Sequence, residues 1–86
     1  MIRPEQWRPV LYAESARWKG KGWKKLVFEL QEDTVYEVET ESRSFQVEVQ
    51  LLENTNRYIH VCVSLDDGSL PSSLTPMSTS FILNKE

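Results

Sequence analysis

The sequence predicts a mainly β domain, a single small antiparallel meander of four to six strands that either closes into a small barrel or stays a curled sheet. Several stretches alternate apolar and polar side chains with the period of two that a strand imposes. The connections between these stretches are short and rich in turn-forming residues. At 86 residues the chain has material for one core and none for a second, so 1–86 reads as a single domain.

Residues 4–18 admit two readings. Trp7, Val10, Leu11 and Trp18 recur at helical spacing, and Ala13, Glu14, Ala16 and Arg17 favour a helix, which makes the domain α+β. Val10, Tyr12, Glu14, Ala16 and Trp18 equally share one face of a strand, and a strand or irregular covering segment is preferred by a small margin. Trp23–Gln31 then places Leu26, Phe28 and Leu30 on one parity and Lys25, Val27 and Glu29 on the other, the pattern of a first meander strand. Thr34–Thr40 follows with Tyr36 and Val38 against Glu37 and Glu39. Ser44–Leu52 sets Phe45, Val47, Val49 and Leu51 against Ser44, Gln46, Glu48 and Gln50, and Arg57–Leu65 sets Ile59, Val61, Val63 and Leu65 against Tyr58, His60, Cys62 and Ser64. Ser80–Leu83 is a candidate short last strand.

Registers follow from keeping apolar residues opposite one another. Glu53 opposite Arg57 across Asn54-Thr55-Asn56 pairs Leu51 with Ile59, Val49 with Val61, Val47 with Val63 and Phe45 with Leu65. Leu30 opposite Thr34 pairs Phe28 with Tyr36, Leu26 with Val38 and Lys25 with Glu39. The Glu41-Ser42 connection lacks hairpin chemistry and fixes no register. Asp66-Asp67-Gly68 reads as a turn, and Gly68–Thr79, with Pro71 and Pro76, as a loop whose Leu70, Leu74 and Met77 fold back as a lid over one end of the sheet. Val27, Val35, Leu52, Tyr58 and Cys62 form a band on the less apolar face that calls for partial cover.

Charge is unevenly spread. Met1–Lys25 carries seven cations against Glu5 and Glu14, a net +5, and the remainder carries −8, giving the total of −3. The lone Cys62 excludes an intramolecular disulfide, the amino terminus lacks a secretory apolar run, and no stretch is long and apolar enough to cross a bilayer. A reducing, cytoplasmic setting without membrane contact is the expectation.

The richest candidate site is Arg17-Trp18-Lys19-Gly20-Lys21-Gly22-Trp23-Lys24-Lys25, where cations and two indoles surround two glycines. Such a loop fits an acidic protein partner or an anionic ligand. It also fits single-stranded nucleic acid, with phosphates on Arg17, Lys19, Lys21, Lys24 and Lys25 and a base on Trp18 or Trp23, although the acidic remainder of the chain repels a polyanion. The plainer reading is a solvated loop with both indoles in the core.

His60 and Cys62 share a strand face, with Glu48 opposite Cys62 in the register above. A nucleophilic thiolate needs a base within reach and electropositive surroundings, and Glu48, Gln46 and Gln50 supply no cation. One His and one Cys also fall short of a zinc site, and Asp66-Asp67-Gly68-Ser69 lacks the regular oxygen spacing of a calcium loop. No catalytic set, metal site or cofactor motif is assembled, so the expected function is a non-enzymatic binding domain, with a cysteine-dependent enzyme as a remote alternative. Self-association through an open strand edge, or between the basic loop and the acidic face of two copies, is compatible with the same pattern.

Overall fold

A computed structural model of the chain describes residues 4–40, 44–66 and 77–85. Two helices, α1 (Pro4–Lys19) and α2 (Trp23–Glu29), precede four strands, β1 (Thr34–Glu39), β2 (Ser44–Asn54), β3 (Tyr58–Asp66) and β4 (Met77–Asn84). The strands form one open antiparallel sheet in the order β1-β2-β3-β4. The mainly β meander is therefore present, as a sheet rather than a barrel. No helix among the described residues is long and apolar enough to cross a membrane.

Strand parity builds the core. Phe45, Val47 and Val49 of β2, Ile59, Val61, Val63 and Leu65 of β3 and Phe81 of β4 are buried on one face, where Leu11 and Trp18 of α1 and Leu26 and Leu30 from α2 and its end meet them. β-branched side chains dominate the two central strands, where a pleated surface suits their restricted rotamers. The helices lie over this face, with α1 packed mainly on β3 and β4. The opposite face carries no helix. Val35 and Leu52, expected to need cover there, are exposed, because the covering segments are consumed by the more apolar face.

The N-terminal segment is a helix, which corrects the preference for a strand or irregular cover. Leu11, Glu14 and Trp18 are buried, with Val10 packed beside them, and their spacing is helical. A strand would have buried Tyr12, which is instead exposed.

The predicted strand over Trp23–Gln31 is also a helix, so the pairs Phe28/Tyr36, Leu26/Val38 and Lys25/Glu39 do not form. Leu26 and Leu30 are four apart and satisfy both periods, so the other apolar residues decide. A strand face recruits only Phe28, whereas a helix recruits Trp23 and Val27 at i, i+3, i+4 and i+7. Burying two large residues at the expense of one favours the helix. Leu26 is fully buried and Phe28 is 73% exposed. Gly22 starts α2 with φ 87° and ψ 154°, a backbone region that side-chain-bearing residues avoid.

The β2/β3 pairing keeps the predicted parity and slips by two residues. Val49 faces Val63, Leu51 faces Val61 and Val47 faces Leu65, while Glu53 faces His60 in place of Arg57. The turn explains the slip. Thr55 Oγ1 accepts from the amides of Arg57 and Tyr58 at 3.1 and 3.0 Å, and the Thr55 amide donates to the Tyr58 carbonyl at 2.9 Å, closing a tighter loop than Glu53/Arg57 would. A bulge at Leu52 absorbs the extra residue. β4 is longer than Ser80–Leu83, with Met77 opposite Leu65 and packed on the core, so residues 77–79 belong to a strand rather than to the predicted loop. The rest of that loop, with Leu70 and Leu74, the Asp67-Gly68 turn and the Glu41-Ser42 connection, lies outside the described residues.

The helical assignment of residues 23–29 has a direct consequence. Leu26→Ala is expected to lower unfolding free energy by about 2–5 kcal/mol, and Phe28→Ala by no more than about 0.5 kcal/mol, in urea denaturation. Comparable losses at both positions would restore the strand.

Candidate functional site

The end of α1, the turn after it and α2 hold every residue of the predicted basic aromatic segment. The turn is tightly closed: the amides of Gly20, Lys21 and Gly22 bond the carbonyls of Ala16, Trp18 and Lys19 at 3.0, 3.0 and 3.4 Å, and the Leu26 amide reaches back to the Gly22 carbonyl at 3.2 Å. The cations therefore stand on an ordered framework.

Beneath them lies a buried polar chain. Trp18, only 6% exposed, donates its indole Nε1–H to the Tyr36 hydroxyl at 2.8 Å, and Tyr36 in turn donates to the carboxylate of Glu14, itself 6% exposed. Arg17 Nη1 lies 3.4 Å from Glu14 Oε1 and supplies the counter-charge from the surface. Burial, then donation to an anionic carboxylate, pushes the Tyr36 hydroxyl from 10.0 up to about 12, while the indole donor works in the opposite direction. The chain ties α1 to β1 and withdraws Trp18 from any ligand.

The remaining side chains of the segment divide by commitment. Lys21 pairs with Glu29 at 3.2 Å and sits 4.8 Å over the Trp18 ring. Trp23 is half-buried against the core, with Lys24 at 5.8 Å and Lys85 at 4.9 Å from its ring centroid. Lys19, Lys24 and Lys25 point into solvent. Arg17 is exposed as well but is engaged by Glu14.

Phe28 joins this surface, although its alternation places it in a sheet core. Lys24 and Lys25 precede it by four and three residues, which puts all three on neighbouring positions of one helical face. The signal in the sequence is the stripe Trp23, Leu26, Val27, Leu30, which leaves Phe28 outside it.

His60 and Cys62 are half-buried on the uncovered face but do not come together chemically. His60 Nδ1 lies 3.7 Å from Glu53 Oε1, whereas the Cys62 thiol lies 3.8 Å from the Ser64 hydroxyl. The residue opposite Cys62 is Gln50, and Glu48 faces Ser64, which corrects the Glu48/Cys62 pairing. Among the described residues no three of His, Cys, Asp and Glu gather around a point that could hold a metal ion. Asp66 ends β3, and Asp67, Gly68 and Ser69 lie outside the described residues.

No protein-family model, curated protein or solved structure matches this chain. The geometry alone carries the functional reading.

The buried chain predicts a pH dependence. Because the Tyr36 pKa is raised by folding, the stability it contributes is complete below pH 10 and is lost as pH rises through about 12. In urea denaturation across that range, Tyr36→Phe is expected to flatten this alkaline loss. It is also expected to cost about 1–3 kcal/mol at neutral pH, by stranding the Glu14 carboxylate and the Trp18 N–H. An unchanged alkaline slope would contradict the assignment.

Proposed function

We propose that this chain is a non-enzymatic interaction domain that contacts an acidic protein partner or another anionic ligand through the surface built by Lys19, Lys24, Lys25 and Phe28. The supporting observation is Phe28. A domain this small needs most of its large apolar side chains inside, yet Phe28 is 73% exposed on the same face of α2 as two lysines. An aromatic ring flanked by cations suits a partner that offers carboxylates around an apolar side chain: the ring contributes buried area and the lysines contribute steering and selectivity.

Single-stranded nucleic acid remains the second reading, supported by the same cations and by the partly exposed Trp23 ring. It has lost Trp18 as a stacking platform, since that indole is buried and bonded to Tyr36.

Fluorescence titration with a short peptide of glutamates around a central leucine and with a short thymidine oligonucleotide, at low and at physiological ionic strength, separates the readings. The acidic peptide is expected to bind. Phe28→Ala, or Lys24→Glu combined with Lys25→Glu, is expected to weaken it by at least about ten-fold. No peptide binding at low ionic strength contradicts the proposal, and tighter binding of the oligonucleotide transfers it to the second reading.

A further inference from the structure

The face of the sheet turned away from the helices has a composition that the fold does not require. Among its described residues are five carboxylates, Glu37 and Glu39 on β1, Glu48 and Glu53 on β2 and Asp66 on β3, and no lysine or arginine. Glu53 is engaged by the Tyr58 hydroxyl at 3.3 Å and by His60. The side chains of Glu37, Glu39 and Glu48 make no hydrogen bond or ion pair with a described residue. Their spacing puts like charges near one another. Val35 faces Glu48 and Glu37 faces Gln46, so Glu37 lies diagonally across from Glu48, about 7–8 Å away. Glu39 follows Glu37 two residues along, on the same face. Like charges at these positions repel one another weakly through water, and nothing among the described residues offsets that repulsion.

The same face exposes Val35, Leu52 and Ile82, each more than half accessible. Beside Glu48 a depression of about 120 Å³ is lined by Gln46, Glu48, Ser64, Leu65 and Asp66. We infer that this uncovered sheet face docks a cationic, Lys/Arg-bearing segment of a protein partner, which neutralises Glu37, Glu39 and Glu48 and lays its aliphatic stems along Val35 and the depression.

Charge complementarity selects this occupant. A metal ion is a poor fit, since the carboxylates are spread over a flat face and no three potential ligands converge among the described residues. Nucleic acid and anionic lipid are repelled. A second copy of this chain would have to present its own cations, and the described ones lie on α1, α2 and the turn between them, or at Arg57 and Lys85 beyond the strand ends. Since the helices pack on the opposite face, such a contact would join front to back and would not close into a dimer. Lysine and arginine stems are apolar, so one side chain can satisfy both a glutamate and an exposed valine. This inference is independent of the α2 surface, which uses other residues on the other side of the sheet.

The test is isothermal titration of the full chain with an eight-residue peptide alternating lysine and threonine, which presents its cations to one side when extended. Binding at low ionic strength that weakens steeply with salt is expected. Glu37→Gln combined with Glu48→Gln should reduce affinity at least about ten-fold, while Glu32→Gln on the α2–β1 connection should change it by less than about two-fold. Without peptide, the double variant should melt at a higher temperature than the parent, because the repulsion has gone. Absence of binding, equal binding by the double variant, or equal binding of a glutamine–threonine peptide overturns the inference. So does self-association in sedimentation that the double variant abolishes, which would make a second copy the occupant.

Discussion

The hydrogen-bonded chain from Trp18 through Tyr36 to Glu14 is the constraint on which the arrangement of the domain depends. Helix α1 rests mainly on β3 and β4, and its apolar contact is interrupted by a buried carboxylate. An unsatisfied buried carboxylate would cost more than the neighbouring apolar contacts return. Tyr36 on β1 removes that cost, Arg17 supplies the opposite charge, and the indole N–H of Trp18 is satisfied by the same hydroxyl. The end of α1 is thereby held against the far side of the sheet. The turn at Gly20–Gly22 and the short α2 inherit their position from it, since seven residues in isolation are too few to form a stable helix.

Strand parity was legible in the sequence because one face of the sheet is buried and the other is not, and alternation records that difference along Tyr36–Glu39, Phe45–Leu51 and Ile59–Leu65. Register was not legible, because a slip of two residues preserves parity and sets valine against valine in either pairing. The hydroxyl of Thr55 and the bulge at Leu52 decide it, and both act locally. The helical nature of residues 23–29 was hidden for a related reason. Leu26 and Leu30 serve a period of two and a period of 3.6 alike, and only the fate of Trp23, Val27 and Phe28 separates the two. At the candidate site the cations were visible by inspection. The depth of Trp18 was not, since its partner Tyr36 lies 18 residues further along the chain, and Phe28 was masked by an alternation it shares with two core leucines.

The charge split along the chain becomes a split between two sides of one sheet. Cations follow the helices, which pack on the apolar face, and carboxylates follow the polar parity of β1 and β2, which stays open to water. Among the described residues, the run of like charges at Glu37, Glu39 and Glu48 and the exposure of Phe28 are places where folding alone gives no reason for the residue chosen. Departures of that kind are the ground on which both surfaces are proposed as contact sites.

A double-mutant cycle on the buried chain tests this account most directly. Tyr36→Phe and Trp18→Phe, alone and together, are compared by urea denaturation at neutral pH. A coupling of about 0.5–3 kcal/mol between the two positions is the predicted result. Additive losses would mean that the indole and the hydroxyl do not act on one another, and that α1 is not held to β1 in this way.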